Sequence, residues 1–143
     1  MLCIAAAATA LLAACAGTPG VTEKGEVRVS AVSAADSIAL PIGRTVRVDG
    51  LAALTLRDVP AESRCPVDVQ CVHAGDASIE LDVCPSGCAT AVRVRLGLVM
   101  EPRSTIIDGV RIETMRLVPL PRAGALIRRE DYIATVRVTR ASR

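Results

Sequence analysis

The sequence predicts an all-β fold: a single antiparallel β-sandwich or small barrel of about seven or eight strands, with disulfide-stapled loops. Three observations predict it. Apolar and polar residues alternate with period two in run after run. Gly, Pro, Asp and Ser recur at short intervals between those runs. Helix-period patterning is nearly absent, with only residues 123–129 hinting at a helical turn.

The runs can be taken in order. Val27 and Val29 alternate with Glu26, Arg28 and Ser30. Val46 and Val48 alternate with Thr45, Arg47 and Asp49, and Leu54 and Leu56 with Thr55 and Arg57. Ile79, Leu81 and Val83 alternate with Ser78, Glu80 and Asp82, and Val92, Val94, Leu96 and Leu98 with Arg93, Arg95 and Gly97. Each run hides one face and wets the other, as strands of an antiparallel sheet do. Asp108-Gly109 is a two-residue hairpin signal. Beyond it Val110 and Ile112 share one face while Met115 and Leu117 fall on the other, which predicts a β-bulge near Glu113-Thr114. Pro119 and Pro121 end that strand. The closing run sets Tyr132, Ala134, Val136 and Val138 against Ile133, Thr135, Arg137 and Thr139.

The chain has six cysteines. Residues 1–14 form an apolar run too short to span a bilayer, which needs about 20 residues, and of signal-peptide length. The run ends in Leu11-Leu12-Ala13-Ala14-Cys15. Small residues directly before a cysteine resemble the lipobox of a bacterial lipoprotein, cleaved before Cys15, which then carries the lipid. No Lys or Arg precedes the run, which implies a start upstream of Met1. Residues 15–25 are small, polar and turn-forming, a flexible tether between the lipidated Cys15 and a domain over residues 26–143. Ala16 is not the aspartate that retains some lipoproteins in the inner membrane. The expected location is therefore the cell envelope, on the outer membrane if the cell is Gram-negative.

Cys3 leaves with the leader and Cys15 takes the lipid. Cys65, Cys71, Cys84 and Cys88 remain, an even number in an exported domain, which reads as a disulfide framework. Three connectivities are open, and proximity favours Cys65–Cys71 and Cys84–Cys88. Pairing Cys84 with Cys88 in a tight hairpin would put Glu80 opposite Val92 and bury acids beside valines, which is unfavourable. A one-residue bulge just after Cys88 would set Arg93 and Arg95 against the acids instead.

Composition narrows the function classes. There is no Phe or Trp and a single Tyr, so the core is aliphatic. A net charge of +2 with interleaved signs is a mixed, solvated surface, with no nucleic-acid footprint. No Gly-x-Ser-x-Gly elbow occurs, and His73 is the one imidazole, so no catalytic residues are assigned. Glu80 and Asp82, two apart on a strand, read as a solvated face before a catalytic acid pair. Asp68 and Asp76 lie near His73 in sequence and are the candidates for a carboxylate–imidazole metal site. The C-x5-C and C-x3-C spacings do not match zinc knuckles. No cofactor is implied.

The segment Ser63-Arg64-Cys65-Pro66, four residues, Cys71, one residue, His73-Ala74-Gly75 resembles a pattern of small uncharacterised bacterial exported proteins and lipoproteins. The resemblance extends to the closing strand, from Asp131-Tyr132 to Val138. It implies an exported β domain and a Cys65–Cys71 bond, and carries no catalytic residues across. Those proteins commonly have Trp where His73 stands, so His73 is expected to fill that place, as a packed or partly exposed ring beside the disulfide loop, rather than perform chemistry.

The reading is a lipid-anchored, non-enzymatic binding or interaction module. Its partners would be the membrane through the anchor and an envelope protein through the loops around residues 64–76 and 84–88. The alternatives are a metal-binding protein centred on His73, and a protease inhibitor presenting the Cys65–Cys71 loop.

Overall fold

A computed structural model describes residues 27–29, by their backbone, and residues 37–142. The expected leader, the expected lipidation site Cys15 and the expected tether lie outside the described residues. The predicted fold class is present: two antiparallel sheets packed face to face. The strands are β1 (Val27–Val29), β2 (Ser37–Pro41), β3 (Thr45–Val48), β4 (Ala52–Glu62), β5 (Ala77–Pro85), β6 (Val92–Gly97), β7 (Ser104–Ile107), β8 (Val110–Val118) and β9 (Ile133–Arg140). One sheet has the order β1-β3-β4-β5-β6 and the other β2-β9-β8-β7. Only β1, an edge strand beside β3, runs parallel to its neighbour.

The core lies between the sheets and follows the alternation. Leu54, Leu56, Ile79, Leu81 and Val83 from one sheet meet Leu40, Ile112, Leu117, Val136 and Val138 from the other, all essentially inaccessible to water. Tyr132, the one aromatic residue, is buried at the edge of this core.

Asp108 and Gly109 both take positive φ (47° and 76°), and Ile107 pairs with Val110. That is the two-residue hairpin expected of Asp-Gly, since the glycine adopts a left-handed backbone at no steric cost. The phase change in β8 is the expected bulge near Glu113-Thr114, and it falls at Met115, between Thr114 and Arg116. The extra residue returns Leu117 to the core side with Val110 and Ile112, and it leaves Met115 exposed. The helical hint near residues 123–129 resolves into one 3-10 turn, Arg129–Asp131.

The register of β5 and β6 has the expected parity by a larger detour. Glu80 faces Arg95 and Asp82 faces Arg93, with the ladder opening at Val83–Val92. Residues 88–91 lie outside the ladder, so the repair is a longer loop and not a one-residue bulge. The result is a charged outer face. Asp82 is held by Arg93 Nε at 2.8 Å and by Arg57 Nε at 3.1 Å.

β4 is irregular where it matters. Its register against β5 shifts between Leu56 and Asp58 and again between Asp58 and Ala61. Bulged strands bend, and the far end of β4 carries Glu62 toward the opposite sheet.

Candidate functional site

Three long connections share one end of the sandwich: residues 63–76 between β4 and β5, 98–103 between β6 and β7, and 119–132 between β8 and β9. The 42–44 turn between β2 and β3 lies at this end too, where Ile42 N donates to Tyr132 O at 3.0 Å. The Cys84–Cys88 loop sits at the opposite end. Both disulfides expected from proximity are formed, with Cα separations of 5.9 Å for Cys65–Cys71 and 5.6 Å for Cys84–Cys88.

The Ser-Arg-Cys-Pro segment turns out to be a set of clamps. Ser63 and Asp76 close the base of the loop: Ser63 N donates to Asp76 O at 2.7 Å, Ser63 Oγ donates to the same carbonyl at 2.8 Å, and Asp76 N donates to Ser63 Oγ at 3.1 Å. Cys65 N then donates to Ala74 O at 2.8 Å. Gly75 is required by this closure. Its φ is +66°, and a Cβ there would lie 1.7 Å from Ser63 O.

Arg64 joins the two sheets. Its guanidinium grips the Glu62 carboxylate with a two-pronged bond, including a very short Nη2 contact, as planar forks do with carboxylates. It also donates from Nη1 to Leu117 O at 2.6 Å and from Nη2 to Pro119 O at 3.0 Å, both at the end of β8. The side chain is only 11% exposed. Tyr132 Oη reaches the same carboxylate at 3.4 Å. Burial first, then the negative charge of Glu62, raises the Tyr132 pKa above its ordinary value.

Two further carboxylates attach the neighbouring loops. Asp68 Oδ1 accepts from Ala123 N at 2.8 Å, and Val67 N donates to Pro121 O at 3.0 Å, so the disulfide loop lies against residues 119–123. Asp76 accepts from the backbone N–H groups of Leu98 (3.2 Å), Val99 (2.9 Å) and Met100 (3.1 Å), which holds the 98–100 turn. Burial pushes the Asp76 carboxyl up, but these donors outweigh it and its pKa lies below the usual carboxylate value.

The alternative metal candidates are therefore not gathered into a cluster. Asp68 and Asp76 serve different loops, and His73 is exposed. Among the described residues no group of three or more His, Cys, Asp or Glu is placed to hold a metal ion. Of the two placements expected for its ring, packed or partly exposed beside the disulfide loop, His73 takes the exposed one. What closes this end is the Arg64–Glu62–Tyr132 network, which sequence reading missed. Its trace in the sequence is the Glu62-x-Arg64 spacing, which puts opposite charges on one side of a strand.

Because polar clamps hold the loops, their apolar side chains are left outside. Among the described residues, seven of the ten exposed large hydrophobics are on these three loops: Val67, Val69, Val72, Val99, Met100, Leu120 and Leu126. Val72 is 94% and Leu126 97% exposed.

Two concavities are lined by other side chains than these. One, about 250 Å³, sits beside the Cys84–Cys88 loop against Asp49, Gly50 and Ser86. The other, about 380 Å³, is walled by Arg57, Asp58, Glu80, Arg93 and Arg129, charges that largely pair with one another or with Asp82. The only imidazole in the chain lines neither. No family model, no curated protein and no solved structure matches this chain.

Proposed function

We propose that this chain is a lipid-anchored domain of the bacterial cell envelope that works by contact rather than by catalysis. The contact surface is the end of the sandwich carrying the Cys65–Cys71 loop. One observation carries the reading: three loops tied together by a disulfide, Arg64, Asp68 and Asp76 hold their apolar side chains outward. Preorganised loops lose little conformational entropy on binding, and contiguous exposed apolar surface marks interaction sites. The Cys84–Cys88 loop, which the sequence reading included in the surface, lies at the far end and cannot share one contact face with the Cys65–Cys71 loop. The anchor reading rests on the Leu-Ala-Ala-Cys run ending at Cys15.

The test has two parts. The mass of the N-terminal peptide from native material reads the anchor: an acylated Cys15 supports it, and a free or intact leader refutes it. A photoreactive residue in place of Val72, compared with one in place of Ala89 at the far end, reads the surface. Adducts to an envelope component at position 72 and none at position 89 are expected. Equal labelling at both would remove the contact surface.

A further inference from the structure

We infer that the surface formed by the Cys65–Cys71 loop and its neighbours seats in the interfacial layer of the phospholipid bilayer, with the sandwich standing on this end. The inference rests on the contact reading and names its partner.

The distribution of apolar groups is the first argument. Most of the exposed large hydrophobics lie on the loops of one end, and the two most exposed, Val72 and Leu126, are 94% and 97% accessible. They come from different connections, which the bond from Val67 N to Pro121 O and the Asp68 cap on Ala123 N hold side by side. Aliphatic tips on a rigid frame suit a soft apolar phase better than a shaped partner. Apolar faces of this kind bury about 5–10 Å into the headgroup–acyl boundary.

Chain direction is the second argument. β1 runs parallel to β3, with Val27 beside Val46 and Val29 beside Val48. β3 begins just after the 42–44 turn, at the loop end of the molecule. Val27, the first residue of β1, therefore faces the end of the molecule that carries the apolar loops. Val27 lies level with Leu54 and Val83, and Glu62 with Ala77, so the rise to the level of Glu62, read along the regular strand β5, is six residues, or about 20 Å at the usual spacing. The twelve residue steps from Cys15 to Val27 can span about 40 Å. An acylated Cys15 in the bilayer thus reaches with the loop end down.

The absence of Trp makes the test direct, because one introduced indole reports its own surroundings. Every described element lies beyond Cys15, and the other four cysteines of a chain beginning there are in disulfides. Such a chain is coupled through the Cys15 thiol to a maleimide-bearing phospholipid in vesicles, so the tether does not depend on cellular acylation. Val72→Trp, Leu126→Trp and the far-end control Ala89→Trp are compared in plain vesicles and in vesicles of phospholipid brominated along the acyl chain. Side chains at positions 72 and 126 are exposed, so these variants disturb no packing. Indoles at 72 and 126 should shift to the blue and lose roughly half their emission to the bromines, as an interfacial depth requires. The indole at 89 should do neither, and adding Val72→Asp to Leu126→Trp should lower the quenching at 126. Equal emission in the two vesicle types at both loop positions overturns the inference. If position 72 nevertheless labels a polypeptide in cells, the surface takes a protein and the contact reading survives without the bilayer. If native Cys15 proves unacylated while the tethered chain is quenched, the anchor reading alone fails.

Discussion

Replacing Arg64 with alanine tests whether the Ser-Arg-Cys-Pro segment is a structural clamp. The substitution removes a two-pronged bond to Glu62 and bonds to the carbonyls of Leu117 and Pro119. It leaves a carboxylate that is 22% exposed with only the long bond from Tyr132 Oη and the backbone N–H of residue 64 at 3.1 Å. Breaking a fully buried pair from one side costs about 3–5 kcal/mol, and each hydrogen bond to a charged group is worth about 1.5–3 kcal/mol. Water reaches part of this site, which places the loss near the lower bound, about 3 kcal/mol. For a domain of this size that lowers Tm by roughly 12 °C. Arg64→Lys should recover only part of the loss, since an ammonium cannot fork onto Glu62 and also serve two carbonyls. Urea unfolding followed by circular dichroism gives the stability, and a double-mutant cycle with Glu62→Gln gives the coupling, expected at about 1.5–3 kcal/mol. An Arg64→Ala chain within about 0.5 kcal/mol of the parent, the range of ordinary surface changes, would refute the clamp.

Three other substitutions probe the same construction. Gly75→Ala should cost more than about 3 kcal/mol, because a strained backbone is joined to a collision with Ser63 O, whereas Gly109→Ala, with open space around its Cβ, should cost about 1 kcal/mol in the same urea titration. Asp76→Asn should cost about 1–2 kcal/mol at neutral pH, since its amide group cannot accept from all three N–H groups of the 98–100 turn. The folded-state pKa of Asp76 is depressed, so this contribution is complete above the unfolded carboxylate value, about 3.9, and disappears as pH falls through the lower folded value. Parent and Asp76→Asn curves should therefore converge in acid, and a constant gap down to the lowest pH would contradict the assignment. Thr114 is fully buried with no partner for its hydroxyl, so Thr114→Val should stabilise by about 1 kcal/mol in thermal unfolding, and a destabilisation would mean that the hydroxyl is used.

The sequence was most legible where one physical rule dominated. Alternation located the strands that line the core, and the clash of Glu80 with Val92 in a tight hairpin led to the right pairing partners, Arg93 and Arg95. It was less legible where length hid the pattern. β2 went unread because Ala39, between Ile38 and Leu40, removes the polar–apolar contrast, and the strand exists through its pairing with β9. The site was legible in its sulfur chemistry and not in its charges. Asp68 and Asp76 look like ligands because they flank a histidine. Their actual partners, the N–H groups of Ala123 and of the 98–100 turn, are 55 and 22 to 24 residues away and carry no mark in the local sequence. Arg64 was opaque for the same reason, its carbonyl partners lying 53 and 55 residues on.

The same bonds explain why the loop end is apolar on the outside. A loop that relies on hydrophobic packing must turn its valines inward. Here the 63–76 loop is fixed by a disulfide, by Arg64 to β8, by Asp68 to Ala123 and by Asp76 to Met100, so packing is not what orders it. Val72 and Leu126 contribute almost no buried area to the fold, and at about 25 cal/mol per Å² of area buried they stabilise it negligibly. Polar residues at those positions would leave the domain equally stable. Fold stability therefore does not account for aliphatic side chains at the tips of clamped loops, whereas loss of water in the proposed contact would.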